Sequence, residues 1–339
     1  MPMALKPSAG NDEIERKILS ILKVLEESDQ PLGARAISQR LKGKGIELAE
    51  RTVRYHLRLM DARGLTELKA PRSGRVLTEK GMEEIKNGLV RDRVGFALSR
   101  IELLAFRTDF NWEKKTGFVP VNVSFFPAEK FDQAIEAMRP AFEAGICVSD
   151  LVAIASEGER LGELSVPRGK KGIATVCSII VNGSLLKAGV PIDSRFGGVL
   201  QIRNHKPVRF VELIHYSGSS LDPSEVFIRA KMTSVREVCS KGEGKILANF
   251  REMPALCRPI AEKVLGKLKE AGLGGLLIMG NTSEAVCETP VELNRIGMVL
   301  IGGLNPVACA EEAGIEAENH AMSTVIEYRD LIRFSEVFK

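Results

Sequence analysis

Phe118-Val-Pro-Val-Asn-Val-Ser-Phe-Phe-Pro127 and Gly244-Lys-Ile-Leu-Ala-Asn-Phe-Arg-Glu-Met-Pro254 open two faint copies of one unit, residues 118–215 and 244–338. The repeat shows in punctuation rather than in overall identity, because Gly and Pro fix backbone geometry and so mark equivalent turns. Pro127 and Gly145 match Pro254 and Gly272 at an offset of 127, and Gly172 and Gly189 match Gly297 and Gly314 at 125. Arg209-Phe210 matches Arg333-Phe334 at 124. The offset drifts only as loop deletions would make it drift. Each copy begins with an alternating stretch (Val119, Val121, Val123; Ile246, Ala248, Phe250), which predicts a strand. A helical stretch ending in Ala-Gly and short apolar runs follow. Chance similarity between Gly-rich segments is the competing reading, and several anchors in register stand against it.

At 339 residues the chain has room for two or three domains with ordinary cores. Its formal charge of +4 is unevenly placed. Residues 1–80 hold 16 Lys and Arg against 11 Asp and Glu, leaving 32 against 33 for the rest, so the whole positive excess sits at the front. That placement suits a segment facing phosphates. No apolar run of about 18 residues is present, which excludes a membrane-spanning helix. Residues 1–11 lack a signal-peptide core and read as a disordered tail. The six cysteines include no Cys-x-x-Cys pair, which argues against a zinc site or a disulfide framework and for a cytoplasmic protein.

Residues 12–88 read as a winged helix-turn-helix. Ile14, Ile18, Ile21 and Leu25 recur at helical spacing, and Pro31 and Gly33 break the chain before a short helix with Ala36, Ile37 and Leu41. In a third helix over 49–63, Val53, Leu57 and Met60 fall within about 60° of one another and face a core. Arg51, Arg54, Tyr55 and Arg58 fall on the opposite side, with Thr52 beside them. Arg can fork onto guanine in a major groove and Tyr can reach phosphate, so this face is a candidate reader of double-stranded DNA. Strands at 65–68 and 75–78 flank a turn with Lys69, Pro71, Arg72, Ser73 and Gly74, and Arg75 starts the second strand. That hairpin is a wing whose cations suit a phosphate backbone. A solvated basic helix in a protein-interaction domain is the bland alternative. His56 lies toward the apolar side and reads as a packed core residue. Residues 89–117 continue a helical pattern and read as a connector that helps build a dimer.

The run Thr175-Val-Cys-Ser-Ile-Ile-Val-Asn-Gly-Ser-Leu-Leu-Lys-Ala-Gly-Val-Pro191 is followed by Ser194-Arg-Phe-Gly-Gly198, Lys206-Pro-Val-Arg-Phe210 and Tyr216-Ser-Gly-Ser-Ser-Leu-Asp-Pro223. Met232-Thr-Ser-Val235 and Gly302-Gly-Leu-Asn-Pro306 come after them. Together these runs resemble the regulatory domain of the NrpR family, the nitrogen-regulation repressors of methanogenic and related archaea. The resemblance covers residues 12–339. It implies a transcriptional repressor that binds palindromic operators as a homodimer under nitrogen sufficiency and releases them when 2-oxoglutarate accumulates. Family members carry one or two regulatory domains and some lack the DNA-binding part, so a partner of the same type is a second possibility.

A diacid effector needs cations or oriented N–H groups for two carboxylates and a polar contact for its keto oxygen. Arg195 beside Phe196-Gly197-Gly198 can fork onto a carboxylate where the backbone approaches closely. Cys177-Ser178, Asn182-Gly183 and the loop with Ser219 and Ser220, closed by Asp222-Pro223, supply weaker polar groups. Each has a plain alternative. Asn182-Gly183 is also a hairpin turn, Cys177 a buried small hydrophobe, and Gly197 and Gly198 a mere bend.

An enzyme fused to a winged helix is the rival class. The chain has no P-loop, Gly-x-Ser-x-Gly or His-x-x-x-His pattern, so no catalytic residues, metal ligands or cofactors are assigned. The predicted fold class is α+β: the winged helix, then an internally duplicated α/β regulatory domain (118–339) whose halves, joined by 216–243, meet across a pseudo-twofold. The first half, with the Cys-Ser, Asn-Gly and Phe-Gly-Gly runs, is expected to supply most ligand contacts.

Overall fold

The structure is a computed structural model that describes residues 9–28, 30–43, 45–69, 74–87 and 95–337. The chain divides into two compact units, Met1–Val94 and Gly95–Lys339.

In the first unit, helices α1 (Ala9–Glu26), α2 (Ala34–Gly43) and α3 (Glu50–Ala62) precede strands β1 (Thr66–Leu68) and β2 (Arg75–Leu77) and helix α4 (Glu79–Asn87). Ile18, Ile21, Leu22 and Leu25 of α1 share one buried cluster with Ile37 and Leu41 of α2 and Val53, Leu57 and Met60 of α3. Each such side chain contributes about 1.5–3 kcal/mol by leaving water. The helical period predicted this stripe. Helix α1 begins earlier than expected and takes in residues 9–11 of the predicted tail, while residues 1–8 of that tail lie outside the described residues. The wing pairs Thr66 with Leu77 and Leu68 with Arg75. Leu32 adds a third, single-residue strand through two backbone hydrogen bonds to Arg75, at 2.9 and 3.1 Å. Gly74 makes this approach possible: at φ +92° a Cβ would lie 2.6 Å from the Leu32 carbonyl carbon.

The second unit opens with helix α5 (Phe96–Arg107). This segment was expected to be a connector, yet Ala97, Ile101, Leu104 and Ala105 are buried in the unit's core. Residues 89–94 of the predicted connector, and residue 88 at the end of the predicted winged helix, lie outside the described residues. The order strand, helix, strand, strand, helix, strand then occurs twice. The first pass is β3 (Phe118–Pro127), α6 (Phe131–Glu143), β4 (Leu151–Ala155), a small hairpin of β5 (Arg160–Leu161) and β6 (Leu164–Ser165), β7 (Lys170–Val176), α7 (Ile179–Lys187) and β8 (Asp193–Arg203). Strand β9 (Lys206–His215) and helices α8 (Pro223–Arg229) and α9 (Val235–Lys241) lead to the second pass. It runs through β10 (Gly244–Pro254), α10 (Arg258–Glu270), β11 (Leu276–Thr282), β12 (Arg295–Ile301), α11 (Asn305–Glu312) and β13 (Glu318–Glu327), and β14 (Ile332–Arg333) follows.

Two antiparallel five-stranded sheets result, ordered β14-β4-β7-β3-β13 and β9-β8-β10-β12-β11. The passes exchange their last strands: β8 pairs with β10, and β13 pairs with β3. Residues 118–215 and 244–338 are therefore interleaved rather than two units side by side. The Arg209-Phe210 and Arg333-Phe334 anchors do not mark one place. Phe210 lies on β9 beside β8 and meets Phe196 edge-on at 4.9 Å, whereas Arg333 lies on β14 beside β4 and Phe334 stacks on Phe142 at 3.9 Å.

His56 on α3 is 3 % exposed, and its Nδ1 has no hydrogen-bond partner among the described residues. Burial, and then the charge of Lys17, lower its pKa from the ordinary 6.5. The ring is thus neutral when folded, and the unfolded chain takes up the proton first as pH falls. Stability from this residue is complete above about pH 6.5 and is lost toward the lower folded value. Amide exchange of α3 in the full chain should therefore accelerate, relative to its intrinsic rate, as pH falls below about 6.5. His56→Met should flatten that dependence, and an unchanged profile in the variant would exclude His56 as its source.

Candidate functional site

The outer face of α3 carries Arg51, Arg54, Tyr55 and Arg58, all exposed, while Thr52 is half-buried. Val53, His56, Leu57 and Met60 hold the inner face, so the helix presents its cations rigidly. Glu50 pairs with Arg54 one turn away, and both remain well exposed, so the pair is easily exchanged for phosphate or base contacts. Lys69 at the end of β1 is exposed. Arg72 lies outside the described residues. Arg75 does something else: its Nε bonds both carboxylate oxygens of Asp61, at 2.8 and 3.0 Å, and the Thr66 hydroxyl donates to the same carboxylate at 2.7 Å. Its guanidinium ties the wing to the end of α3 instead of facing outward.

In the second unit a small polar cavity lies where the two passes meet. It has a volume of about 20 Å³, room for little more than one water molecule. Asn122 on β3 and Asn249 on β10 both line it, separated by the same 127 residues as the Pro127 and Pro254 anchors. So do Ser178 and Ile179 at the start of α7, and Gly303 and Leu304 at the start of α11. Two helix N-termini, with their outward N–H groups and positive dipole ends, therefore meet at one place.

Arg251 is the charge inside this arrangement. It is 1 % exposed, and among the described residues it has no carboxylate partner. Its guanidinium donates to the Ser194 hydroxyl at 2.7 Å and to the Ser178 hydroxyl at 3.3 Å, and its Nε is unpartnered among the described residues. Asn182 donates to Ser194 at 3.0 Å, Asn249 donates to Ser178 at 3.1 Å, and the Tyr216 hydroxyl donates to Asn249. Burial lowers the Arg251 pKa from its ordinary value, opposed by Tyr216 and Cys177. Burial likewise raises the Cys177 thiol to about 11 and raises Tyr216. Asp222 is also raised by burial, against the backbone N–H groups of Glu225 and Ser224 that it accepts as the N-cap of α8. The neighbouring acids are thus held toward neutrality around a permanent cation. An unpaired buried charge is costly, and an entering anion would relieve that cost.

Of the residues predicted to bind an effector, Cys177 and Ser178 line the cavity. Asn182 and Gly183 lie inside α7, so neither forms a hairpin turn. Asn182 supports Ser194, and Gly183 packs so closely on Thr108 that a Cβ would come within 2.3 Å of the Thr108 Cβ. Arg195 faces a different group of residues, bonding Asp193 at 3.0 Å and Glu292 at 2.9 Å, with Glu252 at 4.0 Å. Phe196 stacks on Phe250 at 5.1 Å. Gly197 and Gly198 are mid-strand in β8, where a Cβ would collide with Pro223 and with the Glu212 carbonyl. The Ser219 hydroxyl closes its own turn onto the Leu221 carbonyl, and neither Ser219 nor Ser220 lines the cavity. Asn122, Asn249, Arg251 and Tyr216 were missed. The offset of 127 pairs the two asparagines, and Leu247, Asn249 and Arg251 form a second face of β10 opposite Ile246, Ala248 and Phe250. Residues of both passes line the cavity.

A family model described as NrpR regulatory domains NRD1 and 2 matches residues 94–333, and one described as the ribonuclease R winged-helix domain matches residues 19–85. The chain is 45% identical over 319 residues to the Global nitrogen regulator NrpRI of Methanosarcina mazei, covering 94% of this chain and 98% of that one. It is 32% identical over 313 residues to the Global nitrogen regulator NrpR of Methanococcus maripaludis, covering 92% of this chain but 54% of the relative. The NrpR of Methanocaldococcus jannaschii is 31% identical over 321 residues, covering 94% of this chain and 55% of the relative. A crystal structure of a nitrogen repressor-like protein from Methanococcus jannaschii superposes with a TM-score of 0.60 at 29% identity, covering 70% of this chain and 98% of that one. These relatives bear the names of regulators, none of an enzyme. No helix among the described residues is long and apolar enough to cross a membrane.

The solitary guanidinium gives a direct stability test. In buffer free of carboxylates, Arg251→Met should raise unfolding stability by about 1–3 kcal/mol, because it removes a desolvated charge while Ser178 and Ser194 keep their asparagine partners. Urea unfolding measures this. A marked loss of stability would mean that the guanidinium is already satisfied.

Proposed function

Because the chain belongs to the NrpR family of nitrogen regulators, we propose that it represses nitrogen-assimilation genes by binding palindromic operator DNA as a homodimer, and that 2-oxoglutarate, held at Arg251, releases it. The observation that carries the effector reading is the buried guanidinium of Arg251, which has no carboxylate partner among the described residues and lies between two helix N-termini. One carboxylate of a diacid would take Arg251, the other the N–H groups opening a helix, and the side-chain amides of Asn122 and Asn249 would reach the keto oxygen. The cavity of about 20 Å³ is far too small for a five-carbon diacid. Binding would therefore require the two sheets to part, which makes the ligand selective for an open state and gives it leverage over DNA binding. On the first unit, Arg51, Arg54, Tyr55 and Arg58 would enter the major groove, with Thr52 and Lys69 beside the backbone.

A second reading is that a further protein of the same kind supplies additional regulatory domains. The two longer relatives favour it, since this chain spans 54% and 55% of their lengths.

A mobility-shift titration on the promoter of a nitrogen-assimilation gene, with and without millimolar 2-oxoglutarate, tests these statements. The metabolite should release the parent protein and leave Arg251→Gln bound. DNA binding that ignores the metabolite in the parent would refute the effector reading, and no binding by the purified chain would favour the second reading. Arg54→Ala and Arg58→Ala should each weaken operator binding by about 1–3 kcal/mol with unchanged thermal unfolding. Binding equal to the parent in both would refute the assignment of the helix face.

A further inference from the structure

Helix α5 carries an apolar stripe that its own fold leaves uncovered. Phe96 is 45 % exposed, Leu103 56 % and Phe106 69 %, while Ala97, Ile101, Leu104 and Ala105 on the other side are buried. The exposed positions follow a heptad: Phe96 and Leu103 take its a positions, and Ser99 and Phe106 its d positions. Arg100 and Arg107 then fall at e and Glu102 at g. Arg100 lies over the Phe96 ring at 5.5 Å and Lys187 over the Phe106 ring at 5.1 Å.

We propose that this stripe is the dimer contact, meeting the same stripe of a second copy as a parallel helix pair. The inference rests on the homodimer proposed above and names its surface. The charges choose both the occupant and the direction. In a parallel pair a g residue faces the e residue five positions further along the second helix, which sets Glu102 against Arg107 of the second copy, twice by symmetry. In an antiparallel pair e faces e, and the arginines would oppose one another. Arg107 already bonds Glu163 at 2.7 Å, and its guanidinium has donors to spare for a second carboxylate. A parallel pair also brings both copies of Gly95, where the chain arrives from the winged-helix unit, to the same end of the contact.

Sedimentation of the full chain tests the surface. Leu103→Glu combined with Phe106→Glu should convert dimer to monomer while leaving the circular dichroism of the folded chain unchanged, since both side chains are exposed. Glu102→Lys alone and Arg107→Glu alone should each raise the dimer dissociation constant by about tenfold or more through like-charge contacts. An equimolar mixture of those two variants should recover the dimer, because every cross-contact is then attractive. A purely structural role for either residue would give no such recovery. A dimer that persists in the Leu103/Phe106 variant, or no recovery on mixing, overturns this surface and leaves the 2-oxoglutarate reading standing. A monomeric parent overturns the surface and the homodimer together. Failure of 2-oxoglutarate to release DNA from a parent whose dimer follows these variants would instead strike the effector reading alone.

Discussion

Strand β8 of the first pass pairs with β10 of the second, and β13 of the second pass pairs with β3 of the first, so neither pass through the repeated fold can saturate its own backbone. Unpaired N–H and C=O groups on a buried strand edge are costly. The exchange therefore obliges the two passes to fold as one body. It also brings β3 and β10 with their pseudo-equivalent asparagines, and the first turns of α7 and α11, to a common point. The cavity results from this pairing and does not depend on a dedicated loop.

That origin explains its chemistry. A guanidinium on an inner strand cannot reach water, and the groups around it are hydroxyls, amides and acids whose pKa values burial raises. The hydroxyls of Ser178 and Ser194 orient the guanidinium without neutralising it. A buried cation held only by neutral groups favours an anion electrostatically and costs local stability, a common compromise at functional sites.

Much of the winged helix was legible in the sequence because two periods suffice for it. Leu57 and Met60 declare the inside of α3 by their spacing, which leaves Arg54, Tyr55 and Arg58 outside. Arg75 was misjudged because its neighbours in the wing are basic, while its partner Asp61 lies fourteen positions earlier on α3. In the second unit the repeat was visible in Gly and Pro, but strand exchange was not, since equivalent strands read alike whichever sheet they join. Asn182-Gly183 has the composition of a turn, yet close packing on Thr108 and a bond to Ser194 hold both residues in a buried helix. Arg251 escaped notice for a simpler reason. A charge in a strand ordinarily points to water, and only its bonds to Ser178 at the start of α7 and to Ser194 on the neighbouring strand β8 show otherwise.

The exchanged strands have the connectivity of an intertwined pair of half-length chains joined end to end. Had the two halves stayed separate and identical, the cavity would sit on an exact twofold axis and offer every visitor the same groups twice. Joined in one chain, the halves are free to differ. Asn122 and Asn249 preserve the old equivalence, whereas Arg251 occupies the position that corresponds to Ser124, whose hydroxyl is turned to Asn319. Such a pocket can tell the head of a molecule from its tail, a discrimination that strict symmetry forbids.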